Sequence, residues 1–211
     1  MDRGGRLVGR LAADEPAYHE VMGVWGALLL DQLDFYLNAH LFPRLEGLTD
    51  EEYFWEPVPD CWSLVEGPDG WEMQGSWPEP EPDPPPVTTI GWRLAHIGAA
   101  NIGARTNALF GASEPDRPMY DPRFVSPIPG SARDAIALLH EVWGRWRDGV
   151  AGIDDLHLLA PLGPAGGPYA DDPLAGLVLH VSRETMHHGG EIGVLRDLYA
   201  RRTPDRPGGS T

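Results

Sequence analysis

The chain has 211 residues, of which 42% are hydrophobic, and its 32 acidic side chains against 16 basic ones give a formal net charge of −16. This length is typical of one domain with a sizeable core, and the acidic balance argues against nucleic-acid binding, which depends on clustered cations. No apolar run reaches the roughly 18 to 20 residues of a membrane span, and the N-terminal residues lack the apolar stretch of a signal peptide. With a single cysteine, Cys61, the sequence predicts a cytoplasmic protein that does not bind membranes.

Apolar residues recur at helical spacing in four stretches, which predicts four long helices. The first helix covers about residues 18–45, and one broad apolar face of it is expected to be buried. That face contains Val21, Val24, Trp25, Leu28, Leu29, Gln32, Phe35, Tyr36 and Ala39. A short helical turn follows, capped by the Thr49 hydroxyl, and the Glu52 carboxylate is expected to reach back to the cap residue.

An insertion of about residues 58–87 separates the first two long helices. Apolar and polar residues alternate on both sides of the Gly-Pro-Asp-Gly sequence at 67–70, which favours a small β-hairpin. The sequence WPEPEPDPPP that follows is too rich in proline and acid to fold on its own, so we expect an extended tether.

The second helix is expected to begin with Thr88 or Thr89 as its cap and to end at Gly111, and the third begins after Ser131. The fourth helix spans about residues 173–201. We therefore expect an all-α fold, a four-helix bundle with residues 1–202 as a single domain and a disordered tail at 203–211. Small residues in the second helix would let a neighbouring helix approach closely: Gly98, Ala99, Ala100, Gly103 and Ala104.

The fourth helix contains the sequence HVSRETMHHGGEI, with three histidines and two glutamates in thirteen positions. At about 100° per residue, Glu184 and His188 fall within the apolar arc that includes Leu177. An ionised glutamate in a bundle core is costly unless it is paired or binds a metal. Because residues one helical turn apart can converge on one cation, this spacing favours a metal site.

A third ligand must come from another helix. The histidines outside the fourth helix are His19, His40, His96, His140 and His157. His96 is favoured because it lies in the middle of the second helix, although it sits about 100° from the apolar centre of that helix at Ile97. The alternatives without metal are a core histidine that donates to a carbonyl, and a carboxylate paired with Arg93 or Arg105.

Three further polar residues accompany the pair on the fourth helix. His180 and His187 lie on the flank of the apolar arc, where a structural or supporting role is expected more than ligation. Glu191 follows His188 by three positions and would either orient a bound water as a catalytic residue or face solvent.

The sequence WRLAHIG at 92–98, followed by HVSRETMHHGGEI at 180–192, resembles the DinB-like superfamily. These are metal-binding four-helix proteins that include YfiT-type proteins and mycothiol-dependent maleylpyruvate isomerases. Members commonly carry a histidine on the second helix and an H-x-x-x-H pair on the fourth, and here Glu184 replaces the first histidine of that pair. The resemblance implies a metal bound by His96, Glu184 and His188.

Two histidines and one carboxylate leave coordination positions open, which is typical of a catalytic metal. The cofactor is expected to be a divalent metal, zinc first, with nickel, iron and manganese as alternatives. The resemblance implies a small thiol such as mycothiol as cosubstrate, in S-transfer to a small electrophile or in its isomerisation. A non-catalytic, stress-related metal-binding protein and a metal-dependent hydrolase with Glu191 as base are the alternatives.

The predicted hairpin must bury its apolar side chains, Trp62, Leu64, Trp71 and Met73. We expect it to pack over the open side of the metal and to shape a pocket for a small-molecule substrate, because loops on a rigid scaffold commonly carry specificity. Packing on the outer face of the first two helices, or a homodimer contact, are the alternatives.

Overall fold

The computed structural model describes residues 23–75, 82–111 and 117–202, and four long helices dominate these ranges. Helix α1 covers residues 24–45, with α-helical parts Val24–Tyr36 and Phe42–Leu45 on either side of a π-helical turn, Leu37–Leu41. Helix α3 covers residues 90–110 as Ile90–Ala95, a π-helical segment His96–Gly103, and Ala104–Phe110. The other two long helices are α4, Ala132–Ala151, and α6, Leu174–Arg201.

Shorter elements connect these helices. Helix α2 is Asp50–Tyr53, helix α5 is Asp155–Leu158, and 3₁₀ turns lie at Pro122–Phe124 and Gly163–Tyr169. The antiparallel hairpin consists of β1, Leu64–Gly67, and β2, Gly70–Met73, with Leu64 opposite Met73. The prediction of a helical bundle with a small hairpin between its first two long helices is confirmed. Within the described ranges, none of the helices combines the length and hydrophobicity needed to cross a membrane.

Side-chain hydroxyls begin three of the helices, as predicted. The cap residues are Thr49 for α2, Thr89 for α3 and Ser131 for α4. Each accepts a hydrogen bond at 3.2 Å from the backbone N–H three positions later, which satisfies a donor that the helix itself leaves free. The sequence left Thr88 and Thr89 as alternative caps of α3, and Thr89 is the residue that caps it.

The second half of the predicted capping box is wrong. The Glu52 carboxylate is buried and accepts two hydrogen bonds from Arg196 of α6, from Nε at 2.9 Å and from Nη2 at 3.1 Å. A buried carboxylate is stabilised more by a bidentate guanidinium than by one backbone N–H. This ion pair therefore joins α2 to the last turns of α6.

The buried face of α1 also differs from the predicted one. Its core side chains are Leu30, Leu33, Leu37, Leu41 and Leu45. The predicted residues Val24, Trp25, Leu28 and Phe35 are half or more exposed, and Val21 lies outside the described residues. Apolar residues surround most of this helix, so its periodicity offers more than one face, and packing against α4 and α6 selects between them.

The buried face of α6 runs through small and β-branched residues. Its members are Leu177, Val178, Val181, Ser182, Thr185, Gly189, Ile192 and Leu195. The hydroxyls on this face are satisfied within the helix, since Thr185 donates to the Val181 carbonyl at 2.8 Å. Glu184 is not one of these buried residues. It lies at the edge of the face with 25% of its side chain exposed, whereas the sequence predicted a position within the apolar arc.

Helix α3 is buried around most of its circumference, which is the condition under which His96 can point inward. At Gly98 an added Cβ would lie 4.0 Å from the Leu139 Cα, so the predicted close approach is made by α4. On another side, the Asn101 amide donates to the Val181 carbonyl of α6 at 3.5 Å. The central helix α3 therefore contacts both α4 and α6.

The hairpin is attached to the start of α3 and to the end of the bundle. The backbone N–H of Trp62 donates to the Val87 carbonyl, and the Trp62 carbonyl accepts from the Thr89 N–H, both at 2.9 Å. The Trp71 ring packs on Phe54 and closely against the backbone of Gly130. This side of the hairpin thus packs on the bundle end near α2 and α4. Residues 77–81 of the predicted tether and the tail at 203–211 lie outside the described residues.

Candidate metal centre

Helices α3 and α6 bring His96, Glu184 and His188 together. The Glu184 Oε2 atom lies 3.9 Å from His96 Nε2 and 3.8 Å from His188 Nε2. One donor atom from each residue lies within 4.8 Å of the other two, and all three residues are half-buried. Two imidazole nitrogens and a carboxylate oxygen form a donor set that suits a zinc-type divalent cation. The residues present therefore fit a mononuclear metal site.

The side chain of His96 is held in place by aromatic stacking. The Trp92 ring lies parallel to it, with an interplanar angle of 7° and ring centroids 5.3 Å apart. Burial and the neighbouring His188 together lower the pKa of His96 to about 4, although Glu184 partly opposes the shift. The imidazole is therefore neutral at pH 7, which leaves a nitrogen lone pair available to a cation.

Other basic side chains surround the Glu184 carboxylate. Its Oε1 atom lies 3.8 Å from His180 Nδ1 and 3.5 Å from Arg183 Nε. The two arginines considered from the sequence have different partners, because Arg93 pairs with Glu191 and Arg105 donates to the Ala100 carbonyl. The Oε2 atom thus faces the two candidate ligand histidines, while Oε1 faces His180 and the guanidinium of Arg183 at the rim.

Glu191 contacts the opposite edge of the His188 ring. Its Oε2 atom is 2.7 Å from His188 Nδ1 and 3.3 Å from Arg93 Nη1. Burial alone would raise the pKa of Glu191, but the hydrogen bond with His188 and the charge of Arg93 lower it on balance, so the carboxylate is ionised at neutral pH. The contacts of Trp92 with His96 and of Arg93 with Glu191 were not predicted from the sequence. Their spacing, one turn before His96 for each, was the available signal.

The same carboxylate belongs to a second group of donors. His187 Nε2 lies 3.6 Å from Glu191 Oε1, so His187, His188 and Glu191 also bring three donor atoms within 4.8 Å of one another. His187 is exposed, and the 2.7 Å contact between His188 and Glu191 is a hydrogen-bond length. Donors that share one zinc ion lie about 3.4 Å apart in tetrahedral geometry. The group with His96 and Glu184 therefore fits a cation better.

The other candidate histidines lie away from this centre. His40 and His140 are exposed, and His140 stacks on Phe42 with ring centroids 3.8 Å apart. His157 is exposed and contacts its own helix cap, with Nδ1 2.8 Å from the Asp154 carboxylate. His19 lies outside the described residues. Of the predicted third ligands in the described ranges, the structure brings only His96 to the pair on α6.

Comparison with protein families gives a match to the DinB superfamily over residues 37–192. The searches of curated proteins and of solved structures found no significant match. The matched range covers most of the chain and contains His96, Glu184 and His188. The protein therefore belongs to the DinB superfamily, whose members typically bind metal ions.

Proposed function

We propose that this protein is a metal-dependent enzyme that uses a small thiol as cosubstrate, in S-transfer to a small electrophile or in its isomerisation. The observation that carries the proposal is the convergence of two histidines and one glutamate from two helices at a half-buried site. Three protein ligands leave part of the coordination shell free for an exogenous group, which is typical of a catalytic metal.

The chain's own residues would hold the cation and prepare the site. His96 is neutral at pH 7, so it can bind without first losing a proton, and Glu184 supplies the negative charge among the three ligands. When bound, a zinc-type cation lowers the pKa of a thiol or water that joins it. Arg183 and His180 lie beside the outer oxygen of Glu184, where they could contact an anionic part of a substrate.

The thiol in this proposal comes from a cosubstrate. Cys61 is the one cysteine of the sequence, and it is buried, with 6% of its surface exposed. A buried thiol is a poor nucleophile because it cannot reach a substrate. The resemblance to mycothiol-dependent isomerases makes mycothiol our first candidate, with zinc as the metal.

Binding of a thiol to the zinc-loaded protein tests the first part of the proposal. Isothermal titration with mycothiol and with its S-methyl derivative should give heat and proton release for the free thiol alone. Equal binding of both compounds, or binding of neither to protein that retains zinc, contradicts thiol use. The second result would favour the non-catalytic metal-binding alternative.

Turnover is tested with a small aryl halide as electrophile. In S-transfer the thiolate sulfur forms a bond to carbon, chloride leaves, and the thiol proton is released to buffer. Zinc-loaded protein should accelerate this reaction of mycothiol with 1-chloro-2,4-dinitrobenzene, whereas Glu184→Gln should not. Hydrolysis of 4-nitrophenyl acetate without thiol, lost on substitution of Glu191, would instead support the hydrolase alternative.

A further inference from the structure

The two ring nitrogens of His188 face two different carboxylates. Nε2 lies 3.8 Å from Glu184 Oε2, and Nδ1 lies 2.7 Å from Glu191 Oε2. The shorter distance is that of a charge-assisted hydrogen bond, in which an N–H donates to an ionised carboxylate. A proton on Nδ1 leaves Nε2 with its lone pair directed to the side where His96 and Glu184 lie.

Glu191 is in turn held from outside its own helix. Its Oε2 atom is 3.3 Å from Nη1 of Arg93, whose side chain is 90% buried on α3. The same Nη1 atom donates to the Thr88 hydroxyl at 2.8 Å, just before α3 begins. The Nη1 group therefore contacts both Thr88 and Glu191, and this buried guanidinium holds the carboxylate at the start of α3.

We propose that Glu191, held by Arg93, is a positioning residue that keeps His188 in the Nδ1-protonated form with Nε2 free for the metal. The inference rests on the proposed metal-dependent function, because His188 is one of its ligands. Carboxylates that accept from the second nitrogen of a metal-binding histidine commonly raise metal affinity by 10- to 100-fold. Glu191 acts through His188 in this assignment, and it is neither a metal ligand nor a general base.

The geometry favours this role over the two others. A general base needs a carboxylate oxygen that faces the reacting group, but Oε2 contacts both His188 and Arg93, and Oε1 lies 3.6 Å from Nε2 of the exposed His187. As a ligand together with His188 and His187, Glu191 would need more than the 2.7 Å that separates it from Nδ1. A distance of 2.7 Å implies a proton between Nδ1 and the carboxylate, and that proton would have to leave before both groups could bind one cation.

The tautomer of His188 in the metal-free protein gives the most direct test. Long-range ¹⁵N–¹H NMR spectra of the full chain should show a proton on Nδ1 of His188 in the wild type. Glu191→Ala should shift His188 toward the Nε2-protonated form, whereas Glu191→Gln, whose amide oxygen still accepts, should largely keep the Nδ1 proton. An Nε2-protonated wild type, or an unchanged tautomer in Glu191→Ala, would overturn the assignment.

Zinc affinity supplies the second readout. In competition with a chromophoric chelator, Glu191→Ala should bind zinc 10- to 100-fold more weakly than the wild type, and Glu191→Gln should fall between them. Glu141→Gln, which changes an exposed glutamate of α4, is the matched control and should leave zinc affinity unchanged. Unchanged affinity in Glu191→Ala overturns the positioning role, and complete loss of binding overturns it in favour of ligation.

These readouts separate failure of the inference from failure of the proposed function. A wild-type protein that binds no zinc contradicts the metal-dependent enzyme, while the NMR spectra still decide whether Glu191 fixes the tautomer. Conversely, a protein that binds zinc but shows no dependence on Glu191 retains its metal centre and loses only the positioning residue. Thermal unfolding of each variant checks that the fold is intact.

Discussion

The indole of Trp92 stacks on the imidazole of His96 and donates a hydrogen bond to the residue that follows the hairpin. The ring planes are 7° apart, and the indole Nε1 donates to the Gln74 carbonyl at 2.9 Å. Gln74 directly follows β2, so the end of the insertion is linked to a candidate metal ligand through one side chain. At this point the insertion lies one side chain away from a candidate metal ligand, whereas Trp71 packs elsewhere, on Phe54. That the insertion covers the metal and shapes a substrate pocket stays a prediction.

Two substitutions of Trp92 separate its hydrogen bond from its stacking. Trp92→Phe keeps an aromatic ring on His96 but removes the donor to Gln74, which should lower the free energy of unfolding by about 1 kcal/mol. Trp92→Ala also removes the stacked ring, so it should lower the free energy of unfolding by about 3 kcal/mol. It should also weaken zinc binding more than Trp92→Phe does. Urea unfolding and chelator competition measure the two effects. Trp25→Ala, at an exposed position, is the control, and equal zinc affinity in both Trp92 variants would contradict a role in orienting His96.

Glu184→Gln should greatly reduce metal retention, because it replaces the anionic donor between His96 and His188 with a neutral amide. His187→Ala should have a much smaller effect, since His187 is exposed and does not belong to the group formed by His96, Glu184 and His188. Dialysis of both variants against a mild chelator, followed by elemental analysis, compares them. Greater loss of metal in His187→Ala than in Glu184→Gln would assign the metal to the group formed by His187, His188 and Glu191.

The lowered pKa of His96 predicts acid sensitivity of the metal-free protein. Its ordinary pKa is 6.5, and in the folded protein burial lowers this to about 4. Between these values the unfolded chain binds a proton that the folded chain does not, so the free energy of unfolding falls as pH decreases, by at most about 1.4 kcal/mol per pH unit. Urea unfolding of the wild type and of His96→Gln from pH 7 to pH 4.5 measures this contribution. The free energy of unfolding should fall less with decreasing pH in His96→Gln than in the wild type. Parallel curves for the two proteins would show that His96 is not held neutral by the fold.

The ion pair between Glu52 and Arg196 should matter more for stability than exposed pairs do. Glu52→Gln leaves the guanidinium, whose side chain is 18% exposed, without its anion and should cost about 3 kcal/mol in urea unfolding. The control is Glu141→Gln, which breaks the exposed pair with Arg145 on α4 and should change stability by less than about 1 kcal/mol. Similar costs for the two variants would contradict a stabilising contribution from the buried pair.

The sequence by itself determined where three of the helices begin and which residues are candidates for the metal. Thr49, Thr89 and Ser131 were recognisable as caps because a hydroxyl and an N–H three positions later meet whatever the rest of the chain does. The pair of Glu184 and His188 was recognisable for the same reason, since residues four apart on a helix always lie side by side. Such features depend only on local backbone geometry.

Only the tertiary structure decided which faces are buried and which charged groups meet. Leu33 of α1 is buried and Leu28 exposed, although both fit a helical period, because the neighbouring helices approach one side. Glu52 binds Arg196 at a separation of 144 residues, and Glu191 meets Arg93 of another helix. Buried ionic groups need partners, but any arginine could meet that need, so the choice among them depends on how α3 and α6 pack together and not on local spacing.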